Sequence, residues 1–500
     1  MNRTSIPTAT AASPAVRRRP SRTRTALGVA LALGLGCSQA AYALDLSEAY
    51  VAARQFDAQV ASARLNLQAI SERVPQARAG LRPSVGASTS VNTGRVDTNV
   101  TDWTSYDNVQ GGLSLSVPLY RPGNGVAIDQ AQIGVRLAET QLAQAEQDLL
   151  TRVAQAYFDV LAAQDALEVA QAQRRAIAEQ FEAARRNFEV GTATITDQQE
   201  AQARLDLNDA QLAAARNDLT VRRAALRTLT GVPAEALETL DRTAALPAPA
   251  DARIEYWTDL ARAGNYAVLQ AQLASQLAAA DIQRAKYAKY PVVDLVSQAG
   301  LVQGSTATGS PLVDRSKQLS AGIQLSVPLY AGGALDARER EAVAAQRRAE
   351  MDLENARRSA EQATRQVFLG LVSSLEQARA LEAAERSSRL ALESNLLGYQ
   401  VGVRINVDVL NAQQQLFSTR RDLSRARYDV LVNSLRLQAA TGRLGAEDVT
   451  RVNALLSPPS AGSALPTPSA PPPPILPSRR GDAVTKPVAP GARQRPAPAR

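Results

Sequence analysis

The sequence predicts an α+β membrane protein built from two copies of one plan, each a β-hairpin set between long α-helical hairpins. Three observations carry that prediction. Landmarks recur at a spacing of about 210 residues, two stretches alternate apolar and polar residues with period two, and almost everything else is helix-forming.

Taken from the start, the chain opens on a targeting pattern. Arg17, Arg18, Arg19, Arg22 and Arg24 form a basic stretch with no acid before Asp45, Ala26 to Leu35 is a short apolar run, and Ala41-Tyr42-Ala43 is an A-x-A site. This reads as a secretory signal over 1–43, cut after Ala43. The apolar run falls short of the roughly 20 residues a transmembrane helix needs. Gly34 stands three before Cys37, where a lipoprotein signal carries an aliphatic residue, so no lipid anchor is expected.

Composition then excludes several kinds of function. Cys37 is the single cysteine and there is no histidine, which removes the commonest general base and the main transition-metal ligands. No Walker loop, G-x-S-x-G or H-E-x-x-H is present. We expect neither an enzyme nor a cofactor or metal. The formal charge of +8 comes from the ends of the chain, because 1–43 holds six arginines and no acid while 457–500 holds six Lys/Arg and one Asp. Between them 44 basic residues face 47 acidic ones, so the argument for nucleic-acid binding disappears. The segment 457–500 also holds 13 of the 26 prolines and reads as a disordered, Pro-rich basic tail.

The body divides into repeats over 44–240 and 241–456. Leu113-Ser-Leu-Ser-Val-Pro-Leu-Tyr120 returns as Ile323-Gln-Leu-Ser-Val-Pro-Leu-Tyr330, Thr230-Gly231 as Thr441-Gly442, and Pro83 as Pro291. In the first repeat Gly111, Leu113, Leu115 and Val117 alternate with Gln110, Ser114 and Ser116. In the second, Leu319, Ala321, Ile323, Leu325, Val327 and Leu329 alternate with Ser320, Gln324 and Ser326. Such alternation suits strands with lipid on one face and water on the other. Each strand has an upstream partner, which places strands at about 83–119 and 291–329, with 93–108 and 304–317 as polar connections.

The remaining segments predict helices. Val126–Val190 and Asp336–Val401 contain no proline, and at 1.5 Å per residue each could reach ~100 Å. Thr192–Leu229 and Val403–Ala440 return antiparallel, with small residues such as Ala213, Ala214, Ala215, Ala224 and Ala225 allowing close helix packing. The tips of the two hairpins are twins 211 positions apart. Phe188-Glu-Val-Gly191-Thr-Ala-Thr-Ile-Thr196-Asp197 answers to Tyr399-Gln-Val-Gly402-Val-Arg404-Ile-Asn-Val-Asp408. Gly191 and Gly402 supply the positive φ that ends one helix before the next begins.

Four strands cannot close a membrane barrel, since known barrels start at about eight. An open sheet would leave unpaired N–H and C=O groups in hydrocarbon, each costing several kcal/mol. Several copies must therefore share one barrel; two would give eight strands and three would give twelve, and the residues alone do not choose.

The duplicated layout, the twin P-L-Y strand ends and the Y-x-V-G-x-R-x-x-V-D-V-L-x-A-Q tip resemble the outer-membrane efflux proteins of the TolC type, over roughly 44–444. The resemblance implies a homotrimer with a twelve-stranded outer-membrane barrel embedded in lipid, an α-helical barrel across the periplasm and a mixed equatorial domain. It implies a periplasmic gate at the matching positions Tyr399, Arg404 and Asp197, with Thr196 alongside. Asp408 matches an acidic constriction ring, whereas Asn411 stands where some members carry a second acid. Tyr120-Arg-Pro-Gly-Asn124 departs from the usual glycine pair kept at Gly332-Gly333. The implied function is an exit duct opened by a periplasmic adaptor and an inner-membrane ABC or proton-driven pump. Protein secretion of type I is the first expectation and multidrug efflux the alternative. Two rivals, a trimeric surface adhesin and a periplasmic structural coiled coil, predict a long passenger segment and a soluble mature chain respectively.

Overall fold

The computed structural model describes residues 43–97, 102–241, 244–304 and 315–457. The proposed signal, apart from its last residue Ala43, and, beyond Ser457, the Pro-rich tail lie outside the described residues. Ser457 itself is paired in a strand, so the ordered body extends one residue past the expected boundary.

Two very long helices form the frame, α4 (Pro122–Glu189) and α8 (Ala334–Gln400). At 1.5 Å per residue their 68 and 67 residues span about 100 Å each. The shorter helices flank them in two sets. On the half nearer the strands lie α2 (Ala58–Ser71), α3 (Arg73–Ala79) and α7 (Tyr266–Tyr287); on the half nearer the tips lie α5 (Ile195–Thr230) and α9 (Asn406–Ala440). α4 begins four residues earlier than expected because Pro122 occupies its first turn, where a missing N–H costs nothing. α5 starts three residues later than expected, since Gly191 to Thr194 make the turn.

Between the halves sits a mixed zone with α1 (Leu46–Phe56), α6 (Ile254–Gly264), α10 (Ala446–Asn453) and a two-stranded sheet, β3 (Thr239–Leu240) with β6 (Leu456–Ser457). The apolar core is concentrated here. One cluster joins Leu46, Val153, Tyr157, Phe158, Leu431 and Leu435; a second gathers Trp257, Phe368, Leu371 and Val430. Tyr157 is fully buried, and its hydroxyl donates within reach of the carbonyls of Leu44 and Glu238 at 3.0 and 3.1 Å. Burial pushes that phenol well above its ordinary pKa, so it remains a donor tying the start of the chain to the repeat junction.

The membrane sheet has the order β1-β2-β4-β5, all antiparallel. Its strands are β1 (Ser84–Val96), β2 (Thr104–Tyr120), β4 (Val292–Gly304) and β5 (Arg315–Ser326). At 12 to 17 residues each, they exceed the 9–11 that a tilted membrane strand needs. Directly paired residues share a face. One face therefore carries Val85, Val91, Val109, Leu113, Leu319, Ile323 and Leu325, all exposed in the single chain. The other carries Ser88, Ser90, Asn92, Asn108, Gln110, Ser114, Gln298, Gln318, Ser320 and Gln324. Exposed Tyr120, Tyr290 and Tyr330 stand at the helix end of this apolar band and Trp103 at the other, as interfacial girdles do.

Two strand limits differ from expectation. The segment 93–108 is mostly ladder rather than loop, because pairing persists past the apolar band, from Thr93↔Asp107 to Val96↔Thr104. β5 stops at Ser326 although the alternation runs on to Leu329. β4 offers no residue beyond Val292 for pairing, and Pro328 has no N–H to give. Pro118, its counterpart in β2, is accommodated at a register shift between Pro118 and Tyr120.

The outer strands β1 and β5 pair on one side only within the chain. Among the described residues no helix is long and apolar enough to cross a membrane; the apolar surface at membrane length belongs to the sheet.

Candidate functional site: the twin hairpin tips

Both tips are built by the same helix-ending device. Gly191 (φ 79) and Gly402 (φ 81) take the left-handed conformation. Around the first, Gly191 N–H bonds Phe188 O at 2.9 Å and Thr192 N–H bonds Asn187 O at 2.8 Å; around the second, Gly402 N–H bonds Tyr399 O at 3.1 Å and Val403 N–H bonds Gly398 O at 2.9 Å. These paired bonds satisfy the last carbonyls of α4 and α8.

The twins diverge at the start of the returning helices. Thr194 caps α5, its hydroxyl accepting from Asp197 N–H at 3.2 Å while the Asp197 carboxylate accepts from Thr194 N–H at 3.0 Å. The Asp197 side chain is thus committed to a capping box. The equivalent cap of α9 is Ile405, which has no hydroxyl and makes no side-chain cap. The Asp408 carboxylate is left free of that duty and pairs with Arg404 at 3.5 Å. Arg404 lies against its own tip, with its stem over Gly398, where an added Cβ would approach Arg404 Cγ to 2.7 Å.

Within one chain the structure therefore does not join the residues as anticipated. Arg404 meets Asp408 rather than Asp197. The Tyr399 hydroxyl accepts from Asn187 Nδ2 at 3.3 Å rather than meeting Asp197. Thr196 is exposed and stands beside Asp197 on the first turn of α5. Asn411 is exposed and accepts from Arg204 at 3.0 Å; Arg204 also donates to Gln414.

Other residues link the two hairpins near the tips. Gln180 Nε2 of α4 donates to Asn406 Oδ1, the first residue of α9, at 2.5 Å, and Asn406 Nδ2 donates to the main-chain oxygen of Asp197 at 3.3 Å. Both amides are buried, with Asn406 only 1% exposed. Sequence patterns do not single out Gln180, Asn187, Arg204 or Asn406. One signal was available for Asn406: its twin position is Ile195, and an amide replacing an apolar residue in a duplicated tip marks a polar partner.

Two ionic clamps sit where strands give way to helices. Arg121 grips Asp294 of β4 through both carboxylate oxygens, at 2.7 and 2.6 Å. Lys289 donates to Asp336 at 2.6 Å and to Glu339 at 2.8 Å. The departure at Tyr120-Arg121-Pro122 thus has a structural counterpart. The second repeat turns this corner on Gly332 and Gly333, both at positive φ; the first keeps Arg121 at φ −138 and pins the corner by its side chain.

Comparison with known proteins matches this architecture. The chain is 34% identical to outer membrane protein TolC of Vibrio cholerae over 436 residues, covering 86% of this chain and 97% of that protein. It is 32% identical to the alkaline protease secretion protein AprF of Pseudomonas aeruginosa, covering 83% and 88%. Among solved structures, the outer membrane protein VceC of Vibrio cholerae superposes with a TM-score of 0.67 at 19% identity, over 79% of this chain and 96% of that one; this likeness shows the fold. The family described as outer membrane efflux protein matches residues 49–232 and 257–443. With both repeats covered and the sheet carrying a lipid-type face, the chain is an outer-membrane protein that extends into the periplasm, and it belongs to the outer membrane efflux protein family.

Proposed function

We propose that this chain is the outer-membrane exit duct of a type I protein secretion system, working as a homotrimer with a periplasmic adaptor and an inner-membrane ABC pump. The coarser function, an outer-membrane efflux channel, follows from family membership. The finer reading is supported by the polar face of the sheet, which carries hydroxyls, amides and glycines and, between Ser84 and Val302, no charged residue other than Asp294 at its helix end. A lumen without strong binding groups suits a cargo of mixed chemistry such as an unfolded polypeptide. The relative named for alkaline protease secretion points the same way. Small-molecule efflux with a proton-driven pump is the second reading, favoured by the family's description.

The two half-paired edges, β1 and β5, support closure of the sheet with other copies, and membership of the family supports three copies and twelve strands. No chemical step is assigned to the chain, and transport energy comes from the pump. The gate lies at the tips. Tyr399, Arg404, Asp197 and Thr196 stand where copies meet around the axis, and three Asp408 carboxylates form a ring that favours cations.

Two experiments test this reading. Complementing a channel-deficient Gram-negative host should restore release of a type I protein substrate to the medium; restored dye efflux without protein release would favour the second reading. In planar bilayers, Arg404→Ser with Tyr399→Phe should raise single-channel conductance, and Asp408→Asn should reduce cation selectivity. Unchanged conductance would remove Tyr399 and Arg404 from the gate.

A further inference from the structure

The described contacts between the two hairpins at the tips contain no pairing of a cation with a carboxylate. Arg404 and Asp408 pair on the same helix, and Asp197 is held by Thr194. What crosses from one hairpin to the other is a chain of neutral groups, Gln180 to Asn406 to the Asp197 carbonyl, with Asn187 to Tyr399 further out. Half-buried Arg204 adds contacts to the uncharged Asn411 and Gln414.

The Gln180–Asn406 pair differs from its neighbours in burial and position. Asn406 is 1% exposed and Gln180 8%, so water does not compete for the bond while the hairpins stay together. Asn406 is also the first residue of α9, immediately after the turn on which the second hairpin would swing. Displacing that hairpin from the first one, α4 with α5, breaks the Gln180 bond and the Asp197 carbonyl bond together. The twin position, Ile195, is 47% exposed and has no such duty.

We propose that the resting duct is latched inside each chain by the buried amide pair Gln180–Asn406. This rests on the channel reading above and adds to it a neutral, intrachain latch distinct from any ionic contact between copies. A neutral buried latch is indifferent to ionic screening, whereas an exposed ionic lock weakens as salt rises. Losing one to two hydrogen bonds per chain shifts a two-state balance by roughly tenfold.

The test is single-channel recording of the purified full chain in planar bilayers at low and high salt. Asn406→Leu and Gln180→Met should each raise resting open probability by roughly tenfold. The double variant should do no more than Asn406→Leu alone, because the one bond that Gln180→Met removes is already lost with Asn406. The ratio of variant to parent should be the same at both salt concentrations. Gln180→Met keeps the side chain's length and touches no turn, so it carries the test if Asn406→Leu does not assemble. A parent chain that forms channels while both assembled variants behave like it overturns the latch alone. A ratio that collapses with salt also overturns it. A parent chain that forms no channel overturns the channel reading, and the latch with it.

Discussion

Replacing Gly442 with alanine should destabilise the fold far more than the same change at its twin, Gly231. Both glycines end a long helix at φ 71, so either alanine incurs about 1–2 kcal/mol for the left-handed conformation. Their surroundings differ. A Cβ on Gly442 would lie 2.0 Å from the carbonyl oxygen of Gly264 and 2.8 Å from its carbon. That backbone ends α6 and is tied to α9 by Asn265, whose Nδ2 donates to Ala440 O at 2.9 Å. The approach is mutual, since a Cβ on Gly264 would sit 2.7 Å from Thr441 O. No side chain can swing aside, so α6 must move off α9, adding about 1–3 kcal/mol of overpacking. At Gly231 the new methyl meets the Phe56 ring at 2.9 Å, and Phe56 is 59% exposed and free to turn away. The expected losses are therefore about 2–5 kcal/mol at Gly442 and about 1–2 kcal/mol at Gly231. Chemical unfolding of the detergent-solubilised protein, followed by far-ultraviolet circular dichroism, measures both. Equal losses, or a larger one at Gly231, would refute the reasoning.

Two further predictions concern charge. Glu385 of α8 accepts from Arg389 at 2.7 Å and from Arg420 of α9 at 2.9 Å. Burial alone would raise its pKa, but these hydrogen bonds outweigh it and hold the carboxyl below its ordinary value. A depressed folded pKa means that the stabilisation is complete above the unfolded value and is lost as pH falls through the folded one. Glu385→Gln should thus cost about 1 kcal/mol at neutral pH and flatten the decline on acidification; an unaltered acid limb in unfolding midpoints would exclude this pair as a contributor. Arg121→Met should cost about 1–3 kcal/mol by leaving Asp294 unpaired at the sheet–helix junction, and adding Asp294→Asn should recover part of the loss. Thermal midpoints identical to the parent would show that the corner is held by Pro122 and the ladder alone.

Much of the fold was legible because its largest forces act locally along the chain. Lipid on one face of a strand imposes period two, and Leu319 to Leu325 record it; a helix about 100 Å long tolerates no internal proline, and α4 and α8 have none beyond the first turn. Gly191 and Gly402 announced the tips because few other residues accept their φ. The contacts made by those tips were not legible, since hydrogen-bond partners are chosen in three dimensions. Gln180 and Asn406 are 226 residues apart, and Arg121 and Asp294 are 173 apart. Asp197 and Asp408 look equivalent in sequence, yet Thr194 in one cap and Ile405 in the other give them different partners. Differences between the twins, Asn406 for Ile195 and Arg121 for Ala331, carried the information that the similarities lacked.

The central claim is that the four-stranded sheet completes its ladder with other copies of the same chain. The edge strands β1 and β5 are separated by three strand spacings, about 14 Å, beyond the roughly 7 Å limit for a disulfide between Cα atoms. A link between them cannot form inside one chain. With Cys37→Ser as background, Val85→Cys on β1 can be combined in turn with cysteine at Ala321, Ile323 or Leu325 on the same face of β5. Oxidation in the outer membrane should give, for at least one pair, a covalent ladder ending at three copies. Monomer alone at every pair, or a ladder continuing past three, would contradict the account.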